Sequence, residues 1–300
     1  MALLKAVGNT PLLPLRRVTK NISPDVKVYA KAEWFNPGGS VKDRPAFNII
    51  RSALYECRLL PGMRLLDSTS GNMGIAYATF GAALDINVTL AMPENASPER
   101  VSILRALGAE VVFTDPLEGS DGAILVARQM AKEQPDLYFY ANQYDNPANW
   151  QAHYNSTGPE IVEQTQGAVT HFVAGLGTSG TLTGVSRYLR EYNPEVEIVA
   201  AQPDAAFHGL EGLKHMPTAI QPAIYDPKIP DRIAEVTTEA AHEMVRKLAR
   251  QEGYFVGISS GAAAVAALQL AAELESGVVV TAFPDAGYKY LSDDALWETR

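Results

Sequence analysis

The sequence predicts an α/β fold with mostly parallel sheets, on three observations. Short apolar segments rich in Val, Ile and Ala alternate with longer helix-compatible segments from about residue 27 to the end. Most of the apolar segments carry residues suited to burial on both faces, as in a helix-covered sheet. Three glycine-containing turns each follow an apolar segment and open a helix-like run.

The strands expected in order are residues 28–33, 64–67, 87–92, 110–114, 171–174, 196–201 and 277–282. Ser97-Pro98-Glu99-Arg100 reads as a helix start with Ser97 as N-cap and Pro98 at the first helical position, the helix stopping at Gly108. A second helix is expected over 237–251, its apolar stripe being Ala241, Met244, Val245 and Leu248. The turn cluster Asp145-Asn146-Pro147-Ala148-Asn149 is a candidate domain boundary, and 217–230 reads as a long Pro-rich loop.

Composition narrows the function. With 300 residues and 47% hydrophobic content the chain can bury a substantial core. Its net charge of −9 repels nucleic-acid backbones and anionic membrane surfaces. Cys57 is the single cysteine, so no intrachain disulfide or cysteine-cluster metal site forms, and it is expected to be a buried thiol. No run approaches the roughly 20 apolar residues of a membrane span, and a cytoplasmic protein is expected.

Gly175-Leu176-Gly177-Thr178-Ser179-Gly180 matches the dinucleotide-binding pattern, but the next expected strand ends in Ala201-Gln202-Pro203 where an acidic ribose ligand is wanted. Its backbone N–H groups and the Thr178, Ser179 and Thr181 hydroxyls suit one phosphate monoester; a merely tight turn is the alternative. Gly257-Ile258-Ser259-Ser260-Gly261 matches a hydrolase nucleophile elbow, yet the last histidine in the chain is His242, which precedes the serine and breaks the triad order. Ser259 and Ser260 as helix caps are the plainer reading. Ser68-Thr69-Ser70-Gly71-Asn72 offers hydroxyls and N–H groups at a helix start, suited to a carboxylate. Asn36-Pro37-Gly38-Gly39-Ser40-Val41-Lys42 places a lysine just inside another helix start, where the helix's positive end favours a neutral amine.

That last segment resembles the cofactor-lysine motif of the cysteine synthase and cystathionine β-synthase family. The resemblance runs through the chain in order: Val7-Gly8-Asn9-Thr10-Pro11-Leu12, Lys31-Ala32-Glu33-Trp34-Phe35-Asn36, Thr69 to Asn72, His153 to Glu160, Gly177 to Thr181, Gly257 to Gly261, and Pro284-Asp285-Ala286-Gly287. It implies a fold-type II pyridoxal-phosphate enzyme of two three-layer αβα domains, a smaller mobile one over 40–145 and a larger one from 1–39 plus 146–300.

The resemblance also assigns roles. Lys42 carries pyridoxal 5′-phosphate as a Schiff base and later removes the Cα proton. Gly177, Thr178, Ser179, Gly180 and Thr181 hold the phosphate, Asn72 meets the ring hydroxyl, and Ser259 faces the pyridine nitrogen. Thr69, Ser70, Gly71, Asn72 and Gln143 take the substrate carboxylate. A serine rather than an aspartate at the ring nitrogen weakens the electron sink and favours β-elimination.

The implied reaction is β-replacement, making L-cysteine from O-acetyl-L-serine and sulfide or thiosulfate through an α-aminoacrylate. O-phosphoserine, a cystathionine β-synthase-like reaction and a non-catalytic cofactor-binding partner are the alternatives. Met73 departs from the threonine frequent in the family. Lys214 or His215 would favour a phosphate leaving group, although Lys214 is expected to be a solvated loop lysine. No haem-binding or regulatory module is expected, which favours a compact B form. A homodimer is implied, with serine acetyltransferase or a sulfur-carrier protein as candidate partners and no metal.

Overall fold

The structure, a computed structural model, describes residues 2–69 and 71–297. Its ten strands among these residues form two sheets. The six-stranded sheet runs β1 (Leu12–Pro14), β2 (Val26–Ala32), β10 (Gly277–Phe283), β7 (His171–Gly175), β8 (Glu197–Pro203) and β9 (Arg232–Val236). Only β1 is antiparallel to its neighbour. The four-stranded sheet, all parallel, has the order β5 (Glu110–Thr114), β4 (Val88–Pro93), β3 (Arg64–Ser68) and β6 (Tyr138–Tyr140).

The seven expected strands are all present. The three additional ones, β1, β6 and β9, lie at sheet edges, and each gives too little pattern to read. Two are three residues long, and Pro14 is tolerated in β1 because an edge strand leaves one side of its backbone free. Glu33, expected to end a strand, instead opens a 3-10 turn, Glu33–Phe35.

Helices cover both sheets. α1 (Asp43–Tyr55) and α2 (Asn72–Leu84) pack Ile49, Ile50, Tyr77 and Phe80 with Leu65 and Leu90 of the four-stranded sheet. α3 (Pro98–Ala106) begins as predicted, the Ser97 hydroxyl accepting from Arg100 N, and Gly108 follows its end at φ +79°. α4 (Gly119–Glu133) sets Ala123 and Ala127 against Leu66 and Ala91.

α5 (Ala148–Asn155) starts inside the predicted turn cluster, and α6 (Thr157–Gln164) and α7 (Gly180–Tyr192) follow. Ile161 and Leu182, from the last two, bury with Phe172 and Ile198 on one face of the six-stranded sheet. α8 (Thr238–Lys247) and α9 (Ile258–Glu273) cover the other face, where Val245 and Leu270 meet Val28, Val173 and Phe283. The helix expected to reach 251 changes to a π-turn at Leu248–Glu252 and is ended by Gly253 at φ +76°. The last helix is α10 (Asp294–Trp297).

Two expectations need correction. Cys57 is exposed, because α1 ends at Tyr55 and the chain turns through Cys57 at φ +53°. Lys214 is 7% exposed rather than solvated. Its Nζ donates to Asp121 Oδ1 at 2.7 Å and lies 5.1 Å from the centre of the Tyr144 ring. Among the described residues, no helix is long and apolar enough to cross a membrane, and no His/Cys/Asp/Glu group is arranged for a metal.

Candidate active site

Parallel strands leave their C-terminal ends open to a crevice, and ligands bind there in open α/β sheets. In this chain the ends of β3, β7 and β10 and the start of α1 open onto a single cavity of about 1040 Å³. Lys42, Thr69, Gly71, Asn72, Gln143, Gly177, Thr178, Thr181 and Ser259 all line it. Ser179 and Gly180 complete the turn between β7 and α7. Ser70 lies outside the described residues.

Lys42 immediately precedes α1 rather than lying within it. The preceding loop is pinned to the end of β10, Val41 N donating to Pro284 O at 2.8 Å and Ser40 bridging Asp285. No hydrogen bond reaches Lys42 Nζ among the described residues. Burial pushes its pKa down, against the attraction of Asp285, so more of the amine is neutral than on a free lysine.

The turn after β7 has the form of an anion cradle. Ser179 sits at φ +68° as the N-cap of α7, which turns the backbone so that successive N–H groups face one way. A Cβ at Gly177 would strike the Gly212 carbonyl oxygen, so that position excludes any side chain. Asn149, which the sequence presents only as the end of a turn cluster, donates from Nδ2 to Thr178 Oγ1 at 3.1 Å and to Gln143 O at 2.7 Å. It ties the turn after β7 to the Gln143 side of the cavity. His153 bridges Thr157 Oγ1 at 2.9 Å and Thr181 Oγ1 at 3.3 Å. Burial, with Arg44 nearby, holds its pKa at about 3, so the ring is neutral.

Thr69 Oγ1 accepts from Gly71 N at 3.0 Å and Gly74 N at 3.3 Å, which shapes the turn that opens α2. Gln143 is fixed through Nε2 to Ser68 O at 2.7 Å and through its backbone N–H to Asp67 Oδ2 at 3.1 Å. Met73 is buried beside this turn and faces the cavity. Ser259 lies in the first turn of α9, but Gly257 is the N-cap and neither Ser259 nor Ser260 caps the helix. The plain capping reading is therefore replaced by a hydroxyl at the cavity wall. The hydrolase alternative also lacks its strand, since Val256 forms only an isolated bridge to Ala286.

A family model described as pyridoxal-phosphate dependent enzyme matches residues 3–285, and the chain belongs to that family. It is an enzyme, and pyridoxal phosphate is its cofactor. Among curated relatives, a cysteine synthase from Aquifex aeolicus is 52% identical over 295 residues, covering 97% of this chain and 90% of that protein. Cysteine synthase B from Escherichia coli is 40% identical over 296 residues, covering 98% and 95%. The crystal structure of a cysteine synthase (OASS) from Entamoeba histolytica is similar at TM-score 0.94 and 39% identity, covering 99% and 90%. An O-acetylserine dependent cystathionine β-synthase from Helicobacter pylori is similar at TM-score 0.92 and 35% identity, covering 97% of each chain.

The residues fit the cofactor. A helix N-terminus opened by Gly177 and flanked by the Thr178, Ser179 and Thr181 hydroxyls matches a phosphate, and a desolvated amine without a hydrogen bond among the described residues matches a Schiff-base lysine.

Proposed function

We propose that this chain makes L-cysteine from O-acetyl-L-serine and a sulfur donor by replacing the substituent at Cβ. The observation that carries this reading is that the turn before α7, the Lys42 amine and the turn from Thr69 to Asn72 open onto one cavity. When bound, pyridoxal phosphate supplies the electron sink that makes the Cα proton acidic.

Lys42 Nζ takes that proton and holds it while acetate leaves Cβ. Thr69, Ser70, Gly71, Asn72 and Gln143 bind the substrate carboxylate, which fixes the Cα–H bond towards the lysine. Gly177, Thr178, Ser179, Gly180 and Thr181 bind the phosphate. Asn72 would donate to the cofactor's ring oxygen, and Ser259 would offer its hydroxyl to the ring nitrogen, a weaker proton source than a carboxylic acid. Hydrosulfide then adds to Cβ, and Lys42 returns its proton to Cα.

The cleft closes between a smaller unit, 40–145, and a larger one, 1–39 plus 146–300. Contacts across the cavity mouth support this: Lys214 with Asp121, Arg100 with Glu211, and Ser292 with Glu99. The Lys214 ammonium is already satisfied by a carboxylate, which favours acetate over phosphate as the leaving group. The family resemblance supports a cytoplasmic homodimer, with serine acetyltransferase or a sulfur-carrier protein as a partner.

The test is to compare kcat/KM for O-acetylserine and O-phosphoserine, each with sulfide and with thiosulfate, in the wild type and Lys42→Ala. Cysteine formed from O-acetylserine and lost in Lys42→Ala is expected. A preference for O-phosphoserine, or full activity in Lys42→Ala, refutes the proposal.

A further inference from the structure

Besides Lys42 and Lys214, a third lysine lines the same cavity. Lys289 lies in the 3-10 turn Gly287–Tyr290 after β10 and is 8% exposed. Unlike Lys42 Nζ, its amine makes two hydrogen bonds. Its Nζ donates to Asn72 Oδ1 at 2.7 Å and to Gly39 O at 3.2 Å. Asn72 in turn donates from Nδ2 to Asp285 Oδ2 at 2.7 Å, an oxygen that also accepts from Tyr290 OH at 2.8 Å.

This arrangement leaves the Asn72 amide one orientation. Turned over, it would set an N–H group against the Lys289 ammonium and a carbonyl oxygen against the Asp285 carboxylate. In the orientation present, the second Nδ2 hydrogen is left for a ligand. Asn72 therefore meets the cavity as a donor, and a cation stands behind it. The charged groups around Lys289 are Asp285, Asp43 and Arg100.

We propose that Lys289 is a positioning residue for the cofactor: by holding the Asn72 carbonyl, it keeps an N–H aimed at the cofactor's ring oxygen and favours that oxygen in its ionised form. The inference rests on the pyridoxal-phosphate reading of Asn72 given above. It also gives α2 a charged link to the end of the six-stranded sheet, so the orientation of Asn72 is tied to how the two units meet.

The experiment uses the cofactor-loaded protein and reads its absorbance rather than its turnover. The lysine-bound cofactor absorbs in the visible when the ring oxygen is ionised and in the near ultraviolet when it is protonated. Lys289→Met is expected to lower the visible-to-ultraviolet ratio at least threefold at neutral pH, and Lys289→Arg to restore it within twofold. Lys289→Gln replaces the methionine variant if the latter does not fold. In an Asn72→Ala background, the loss of Lys289 should have no further effect on the ratio.

A wild-type ratio in whichever neutral variant folds overturns the proposal. So does an undiminished shift in the Asn72→Ala background. A wild type with no visible band overturns the cofactor reading instead, and this inference with it.

Discussion

Glu33 lies at the centre of a buried charge network, and Glu33→Gln removes one charge from it with little change in shape. Its carboxylate accepts from Arg44 Nε at 2.7 Å, Arg44 Nη2 at 2.9 Å, Thr10 Oγ1 at 2.7 Å and Asn36 Nδ2 at 2.9 Å. Arg44 also reaches Glu160 Oε1 and Oε2 at 2.6 and 2.8 Å, and Lys31 reaches Glu160 Oε2 at 2.6 Å. Two cations and two carboxylates balance.

Burial raises the Glu33 pKa, but Arg44, Lys31 and the hydrogen bonds outweigh it and hold the group at about 2 against an ordinary 4.5. That difference is worth about 3 kcal/mol at neutral pH. The cost of breaking a buried ion pair, about 3–5 kcal/mol, is of the same order.

Because the folded-state value lies below the unfolded one, this stabilisation is complete above pH 4.5 and is lost as pH falls towards 2. Urea unfolding followed by tryptophan fluorescence should show the variant less stable by about 3 kcal/mol at pH 7, with the deficit roughly 1 kcal/mol smaller at pH 4. A deficit below about 1 kcal/mol at pH 7, or one that grows on acidification, refutes the reasoning.

Three further outcomes are expected. Gly177→Ala forces a methyl group against the Gly212 carbonyl oxygen; pyridoxal phosphate should bind about thirtyfold more weakly, as an overpacking cost of about 2 kcal/mol implies, and an unchanged dissociation constant in an apoprotein titration contradicts this. Lys214→Met leaves Asp121 without its cation; KM for O-acetylserine should rise several-fold with kcat nearly unchanged, and the opposite pattern in steady-state kinetics would place Lys214 in the chemistry. Cys57 is exposed at the end of α1, so a colorimetric disulfide reagent should titrate one thiol in the native enzyme without loss of activity. A thiol that reacts only after unfolding would show that burial prevails.

The cavity was legible in the sequence because its parts are local. A glycine that excludes a side chain, a hydroxyl at a helix start and a lysine after a Pro-Gly-Gly turn each occupy a few consecutive residues. What stayed hidden depends on partners far apart in the chain. Asn149 reads as part of a turn cluster, although it joins Thr178 to Gln143. Lys214 read as a loop lysine because its carboxylate, Asp121, lies on the other side of the cleft. The edge strands β1, β6 and β9 were passed over for the same reason, since their pairing depends on neighbours rather than on a pattern of their own.

The family landmarks around Thr10, Lys31, Glu33, Asn36 and Glu160 also had no stated role as residues. They converge on Arg44. Its guanidinium, two positions past Lys42, joins the segment after β2 to α6, and this bears on where the smaller unit begins to move. α1 contributes Ile49 and Ile50 to the core of the four-stranded sheet, which would carry it with that unit. Its first turn, however, is anchored through Arg44 to Glu33 and Glu160 on the side of the six-stranded sheet, and Asn48 Nδ2 donates to Ala148 O at 2.7 Å. Breaking those bonds at every turnover would expose buried charge at a cost of several kcal/mol. The hinge should therefore lie beyond the first turn of α1, not at residue 40. Lys42 would then keep its place relative to the phosphate turn while the Thr69–Asn72 segment closes on the substrate. A structure with a carboxylate bound should show that segment displaced and the Arg44 ion pairs intact; a first turn of α1 that moves together with Thr69 would place the hinge at the start of the smaller unit after all.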